Sequence, residues 1–595
     1  MDDDVNGSND GARGMRQGLA QYGDAGFSLF LRKAFIKAMG YSDAALERPI
    51  IGITDTFSGY NACHRTVPDL VAAISRGVML AGGLPVPFPI TSIHESFSHP
   101  TSMFLRNLMA MDAEELVRAQ PMDAVVLIGG CDKTVPALLM AAASADVPAI
   151  LTVTGPMMTG SHRGERLGAC TDCRRLWAQH RAGNLDEAEI DAVSGALAPG
   201  PGTCMVMGTA STMALCAEAL GMMLPGGAAI PAVHADRLRH AEATGARAVS
   251  LAAEELRPTA VMTERALENA MRVLQAVGGS TNAVVHLAAV AGRLGHPFDL
   301  SVVDRLGGET PVLVDLKPSG KHYMEDLFRA GGLAPVLREL SDTLHLDCLT
   351  VTGRTLGEEL ADAPDPWPQD VVRSAADPIH RGGGIRALFG NLAPNGAILK
   401  QAAASAELLV HEGRAVVFAS LEDMAARIDD PDLDVAAADV LVLQNAGPKG
   451  GPGMPEAGAL PIPRRLAAAG VRDMVRISDA RMSGTAFGTI VLHVSPEAAE
   501  GGPLALVRTG DRISLDAHQG RLDLLVDDAE LARRRAEWRP PQHARAERGY
   551  AKLYFEEVLQ AEDGCDFDFL RKTSRRSGEP ADAEVPASAT VRLGR

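Results

Sequence analysis

The sequence predicts an α/β protein. A large N-terminal three-layer α/β domain with a mostly parallel sheet is followed by a smaller, β-rich domain. Three observations carry this. A chain of 595 residues is too long for one hydrophobic core. Glycine is abundant at 60 residues and aromatics make up only 4%, a mix that suits many tight strand-to-helix loops. Apolar patterning alternates between strand and helix in the first part of the chain and becomes strand-dominated in the last third.

In order along the chain, "RPIIGITDT" reads as a strand entering a loop. "TVPDLVAAISRGVMLAGG" has helical apolar spacing and a glycine stop. "LPVPFPITS" is extended, "MDAVVLIGG" is a buried strand, and "VPALLMAAASA" is a helix with Pro136 in its first turn. "VPAILTVTG" is the next strand, and this β-α-β-α order implies parallel pairing with helices on both faces. "GTASTMALCAEALGMML", "ALENAMRVLQAVGG" and "GGSTNAVVHLAAVAGRLG" continue the helical part. At "ADAPDPWPQDVV" the composition turns to prolines and acids, which places a linker near 360–380. "GAILK" reads as the last helical stretch before the β-rich segments "RAVVFAS", "ADVLVLQNAG", "DMVRISDAR", "GTIVLHVSP" and "DRISLDAHQGRLDLLVD". "AELARRRAEW" is a charged helix. The expected organisation is a flexible leader over 1–15, an α/β domain over 16–375, a β-rich domain over 376–575 and a mobile tail over 576–595.

A net charge of -18 argues against a nucleic-acid or acidic-membrane partner. An anionic substrate would need a local cation. The start, "MDDDVNGSNDGARG", lacks the pattern of a secretory signal, and no uninterrupted apolar run reaches bilayer length. With eight cysteines and no disulfide framework, the expected setting is a reducing cytoplasm.

Cys131, Asp132 and Lys133 follow the buried strand directly, where ligands gather at the carboxyl ends of parallel strands. Thiolate suits iron–sulfur or zinc and carboxylate suits magnesium, so two metal centres side by side are one reading. A buried cysteine followed by an aspartate that favours the helix dipole is the other. Cys63 in "SGYNACHRTVPDL" and Cys204 in "PGPGTCMVMGTASTM" also lie in loops before helices, 68 and 73 positions from Cys131, unlike compact ferredoxin spacing. Cys170 and Cys173 form C-x-x-C in "GACTDCRRLW" with no second pair, and read as structural or incidental. Cys216 lies on an apolar helix and reads as core. Glu95 in "TSIHESFSHPTSM" and Glu456 in "GPKGGPGMPEAGAL" read either as solvated carboxylates or as ligands. The glycines around Glu456 indicate close approach to something. Ser483 in "ISDARMSGTAFG" is a turn serine or a reactive one.

The motifs "GGCDKTVPALLMAA", "GTCMVMGTASTMA", "AVGGSTNAVVHL", "GNLAPNGAILK", "GPKGGPGMPE" and "SDARMSGTAFG" stand in order over nearly the whole chain. In these the sequence resembles the dihydroxy-acid and phosphogluconate dehydratases, often called IlvD/Edd. The resemblance implies that Cys63, Cys131 and Cys204 ligate an iron–sulfur cluster. It implies that Glu95, Asp132, a carbamylated Lys133 and Glu456 hold Mg2+, and that Ser483 is the catalytic base. Thr485 is expected to hydrogen-bond substrate. Cys63 in "NACH" is similar to members with a [2Fe-2S] cluster. "GTASTM" and the Ser483 region look most like sugar-acid dehydratases of the arabinonate type. The implied reaction removes water from a 2,3-dihydroxy carboxylate, an aldonic acid, to give a 2-keto-3-deoxy acid. The implied fold is a large α/β domain plus a smaller β-rich, barrel-like, swivelling domain with the active site between them, and the implied assembly is a homodimer or homotetramer. Rival readings are dihydroxy-acid dehydration in branched-chain amino acid synthesis, a non-catalytic iron–sulfur carrier or sensor, and a zinc protein using Cys170 and Cys173.

Overall fold

The computed structural model describes residues 13–541 and 546–572. Four strands, β1 (Ile50–Asp55), β2 (Leu84–Pro89), β3 (Ala124–Gly129) and β4 (Ala149–Val153), form an all-parallel sheet in the order β2-β1-β3-β4. β3 and β4 are buried throughout, as expected of parallel strands covered on both faces. Helices Val67–Leu80 and Ala235–Glu254 pack together on the sheet. Their backbones touch because Gly77 and Gly245 face them: a Cβ on Gly77 would collide with the Glu242 carbonyl, and one on Gly245 with the Ile74 carbonyl. Helices Ser102–Ala119, Thr134–Ala145 and Asn282–Leu294 form a separate layer. A short hairpin, β5 (Gly160–His162) and β6 (Glu165–Leu167), lies between sheet and later helices.

The second domain is one eight-stranded sheet. Its strands are β7 (Arg386–Leu388), β8 (Gly396–Leu399), β9 (Val410–Phe418), β10 (Val440–Leu443), β11 (Arg476–Ser478), β12 (Ile490–Ser495), β13 (Arg512–Asp516) and β14 (Arg521–Leu524). The order is β14-β13-β9-β10-β11-β12-β8-β7, with β9 to β12 parallel and the flanking pairs antiparallel. Just past β7, Phe389 accepts from Leu522 N–H at 2.9 Å and donates to Gly520 O at 2.8 Å. The two edges therefore meet, and the sheet is nearly closed into a barrel.

Three expectations shift. "GAILK" is strand β8, not helix. Gly396 to Leu399 are all buried, and a buried run this short shows no periodicity to tell the two apart. Within the expected leader, Gly14 and Met15 are packed: Gly14 N–H and the Gln17 amide both donate to Asp123 Oδ1 at 2.8 Å, and both Gly14 and Met15 are buried. Residues 1–12 of that leader, and the expected tail over 576–595, lie outside the described residues. The acidic, proline-rich stretch follows helix Leu356–Asp362, but bridges Val314–Val372 and Val312–His380 still tie it to the first domain before β7 begins. Among the described residues, no helix is long and apolar enough to cross a membrane.

The chain returns to the first domain at its C-terminal end. Arg106 Nη2 donates to Gly564 O at 2.8 Å and Cys565 O at 3.1 Å, and the Asn107 amide donates to Cys565 O at 2.9 Å. Arg293 and Asp566, both fully buried, pair at 2.5 Å. This clasp holds the C-terminal segment against helices Ser102–Ala119 and Asn282–Leu294 of the first domain.

Candidate active site

β3 ends in Gly129-Gly130 and hands over to Cys131, Asp132 and Lys133, the last being the N-cap of helix Thr134–Ala145. A Cβ on Gly130 would collide with Thr154 Oγ1 and the His64 ring. His64 fixes this turn. Its Nε2 accepts the Cys131 N–H at 3.0 Å, so its Nδ1 carries the proton and donates to Thr56 O at 2.8 Å. Burial lowers the His64 pKa to about 4, which keeps the ring neutral. The 3-10 turn Ala62–His64 also places Cys63. The Cys63 and Cys131 sulfurs and a ring nitrogen of His94 lie within 4.8 Å of one another. The Cys63 thiol is hydrogen-bonded to Cys131 and buried, and both effects hold it protonated.

Cys204 approaches from the loop before helix Thr209–Ala219 and feels the charge of Cys63 and Cys131. Its Sγ lies 3.1 Å from Cys170 Sγ. Cys63 and Cys131 thus share one space, and Cys204 stands near enough to interact electrostatically with both. The structure adds His94, which the sequence reading does not name, and Cys170, which it reads as structural or incidental.

Beside the sulfurs is a nest of carboxylates. Oxygens of Glu95, Asp132 and Glu456 lie within 4.8 Å of one another. Lys133, 1% exposed, donates to Glu95 Oε2 at 2.8 Å and stands 3.8 Å from Asp132 Oδ2. Ser102 also donates to Glu95 Oε2. Arg481 bridges the two domains, with Nη2 on Glu95 Oε1 at 2.9 Å and Nη1 on Glu456 Oε1 at 2.7 Å. Burial opposes charge on Glu95, but Arg481 and Lys133 outweigh it and hold that carboxyl well below the usual range. Burial, then the neighbouring Glu95, pushes Glu456 up. Three half-buried carboxylates face two cations. If Lys133 became an anionic carbamate, four anions would face Arg481 alone, a donor set and charge that fit a hard dication. The sulfurs next door fit a softer metal group.

The glycine-rich loop around Glu456 does make the close approach expected of it. Thr101 Oγ1 donates to Gly453 O at 3.1 Å, and a Cβ on Gly453 would collide with the start of helix Ser102–Ala119. Gly453 also has φ of 79°, the left-handed region that favours glycine.

Ser483 follows β11 on a loop pinned by Asp479, whose carboxylate accepts the N–H groups of Ala446 and Ala498 at 2.9 Å each. The Ser483 hydroxyl is 2.7 Å from that of Thr485. Gly484 between them presses on the first domain: a Cβ there would lie 2.6 Å from Ser280 Cβ and 3.0 Å from Thr209 N. Thr171 Oγ1 donates to Thr485 O at 3.1 Å. Asn282 joins this loop to the carboxylates, donating to Met482 O at 3.1 Å and reaching Glu456 Oε1 at 3.4 Å. Lys400, wholly buried after β8, donates to Gly484 O at 3.0 Å.

Burial lowers the Lys400 pKa to about 7. The unfolded chain, with an ordinary lysine near 10.4, therefore binds more protons than the folded one between pH 7 and that value. Stability gains from this group as pH rises through that window and bears the full cost of burying the charge below it. Lys400→Met is expected to raise the unfolding midpoint at pH 6 relative to the parent, with the gain shrinking towards pH 9. Thermal melts at the two pH values check this.

Sequence reasoning names the ligand-type residues but not His64, His94, Asn282, Lys400 or Arg481. All five sit inside stretches quoted above. The available signal is a basic or amide side chain in an otherwise small, apolar motif, a pattern that requires a buried partner.

A parallel α/β domain and a barrel-like β domain meet at adjacent sulfur and carboxylate clusters, the donor types that metal-dependent enzymes use. Family models for the dihydroxy-acid/6-phosphogluconate dehydratases match residues 48–359 with the N-terminal domain and 370–565 with the C-terminal domain. The chain belongs to this family and is a dehydratase, a carbon–oxygen lyase. An L-arabinonate dehydratase of Rhizobium leguminosarum bv. trifolii is 47% identical over 553 residues, 92% of this chain and 95% of that protein. A 6-deoxy-6-sulfo-D-gluconate dehydratase of Pseudomonas putida is 47% identical over 529 residues, 88% of this chain and 91% of that protein. A dihydroxy-acid dehydratase of Carboxydothermus hydrogenoformans is 40% identical over 553 residues, 91% of this chain and 98% of that protein.

Proposed function

We propose that the protein dehydrates an aldonic sugar acid, such as L-arabinonate or a related pentonate or hexonate, to the 2-keto-3-deoxy acid. The observation that carries this is the adjacency at Cys131 and Asp132: soft and hard donors sit side by side at one strand end, with the Ser483 loop seated on the same domain junction. The greater identity to two sugar-acid dehydratases than to the dihydroxy-acid dehydratase supports the substrate class.

In this reading Cys63, Cys131 and Cys204 hold a [2Fe-2S] cluster, and Glu95, Asp132, carbamylated Lys133 and Glu456 hold Mg2+. When bound, the two groups supply Lewis acidity towards the C3 oxygen and positive charge beside the carboxylate and C2 oxygen. Three thiolates rather than four are what suit a cluster to this task. Arg481 favours the charged form of Glu95 and opposes the rise at Glu456. Ser483 removes the C2 proton as an alkoxide, and Thr485, 2.7 Å away, orients that oxygen. The C3 oxygen departs as water with the proton that Ser483 took from C2, which restores the serine, and the resulting enol tautomerises to the keto acid. Burial keeps bulk water from the carbanion-like stage.

The test is anaerobic turnover of a panel of aldonates and of 2,3-dihydroxy-isovalerate, with iron, sulfide and magnesium measured on the same sample. The best aldonate is expected to exceed the branched acid by at least about tenfold in kcat/KM, or about 1.4 kcal/mol. A branched acid turned over as well or better assigns the protein to branched-chain synthesis instead.

A further inference from the structure

The C-x-x-C pair does not stand apart from the site. Cys170 Sγ is 3.1 Å from Cys204 Sγ. Cys173 donates to the Cys170 carbonyl at 3.0 Å, and its thiol is also hydrogen-bonded to the Cys170 side chain. Three sulfurs therefore form a chain, with Cys170 in the middle. All three residues are partly exposed, whereas Cys63 and Cys131 are buried. Cys170 is the N-cap of helix Thr171–Arg181 and has φ of 77°, which a non-glycine residue rarely adopts. Its neighbours impose that conformation. Asp172 accepts the Gly168 N–H at 2.7 Å and the Lys317 ammonium at 3.0 Å, and Thr171 is tied to the Ser483 loop. A strained cysteine held between two other cysteines, one of them beside Cys63 and Cys131, asks for a chemical reason.

We propose that Cys170 and Cys173 form a thiol–disulfide exchange site that restores Cys204 after oxidation. The proposal rests on Cys204 being a cluster ligand. When Cys204 is free of iron, its thiol takes one oxygen from a peroxide, giving a sulfenic acid and releasing water (or an alcohol, from an organic peroxide). The Cys170 thiol then attacks the Cys204 sulfur. The Cys204–Cys170 disulfide forms and the sulfenic oxygen leaves as a second water. Next, the Cys173 thiol attacks Cys170 Sγ. The Cys170–Cys173 bond forms, the Cys170–Cys204 bond breaks, and the proton passes to Cys204. The peroxide takes two electrons in all, both finally drawn from the C-x-x-C pair. Cys204 ends as a free thiol able to take iron again, and escapes the irreversible sulfinic stage.

The test uses the holoenzyme and the Cys173→Ser, Cys173→Ala and Cys170→Ser variants. Each is exposed to hydrogen peroxide, alkylated and mapped by peptide mass spectrometry. The parent is expected to yield the Cys170–Cys173 disulfide with Cys204 alkylated. Both Cys173 variants should trap Cys170–Cys204, and Cys170→Ser should yield sulfinic Cys204. With iron and sulfide then supplied and no reductant, the parent regains its visible cluster absorbance and the variants do not. Untreated Cys173 variants should match the parent in turnover and absorbance. An intact Cys204 in peroxide-treated Cys170→Ser, or a parent without the Cys170–Cys173 bond, overturns the proposal. So does an altered cluster spectrum in untreated Cys170→Ser, which would make Cys170 a ligand. Iron analysis of Cys204→Ser separates the two layers. Unchanged iron defeats the ligand assignment on which the inference rests. Lost iron without the disulfide pattern defeats the exchange alone.

Discussion

Ser483→Ala is expected to lose about a hundred- to ten-thousand-fold in kcat, the range for removing a positioned proton-transfer group. Iron, sulfide and magnesium content should not change. The reason is local. The Ser483 hydroxyl is engaged with Thr485, through its hydroxyl at 2.7 Å and its N–H at 3.4 Å, so its removal costs the fold about 1 kcal/mol. The loop stays seated because Gly484, Thr485 and Lys400 make the contacts that fix it. Kinetics with metal analysis on the same preparation check this. A cluster-loaded Ser483→Ala enzyme with near-parental turnover removes the serine from the role of base.

Lys133→Arg is the second large effect. Arginine keeps a cation between Glu95 and Asp132 but cannot react with carbon dioxide to become an oxygen ligand, and its guanidinium has donors only. At 1% exposure there is little room for the larger group, and overpacking costs about 1–3 kcal/mol. Magnesium binding is expected to weaken beyond detection and turnover to vanish, while the cysteine-held iron persists. Calorimetric titration with Mg2+ beside iron analysis separates these. Retained magnesium affinity in this variant sinks the carbamate reading. Partial recovery in Lys133→Gly with added short carboxylates would support it, because a free carboxylate can supply the missing oxygen.

The first domain was legible because its strands and helices differ in period and length. "MDAVVLIGG" and "TVPDLVAAISRGVMLAGG" fold as read, into β3 and helix Val67–Leu80. "GAILK" was not, since a fully buried four-residue strand has no polar face to betray its period. Ligand-type residues stood out by chemistry and by motif. Glu95 and Glu456, 361 positions apart, meet only through the domain junction, and nothing local in either segment encodes that. Arg481 escaped notice for the same reason: its role exists only once Glu95 has arrived from the other domain. Cys170 reads as structural or incidental because spacing compares it only with Cys173, whereas the fold brings it to Cys204.

The clasp of Arg106, Asn107 and Arg293 on residues 564–566 has a consequence for how the enzyme should fail under stress. Half of the chemistry hangs on either side of a seam, so a slip too small to melt either half is enough to silence both. On gentle heating, catalysis is expected to fade before far-ultraviolet ellipticity changes, and to return on cooling. Weakening the seam with Asn107→Ala should widen that gap without shifting the ellipticity midpoint by a comparable amount.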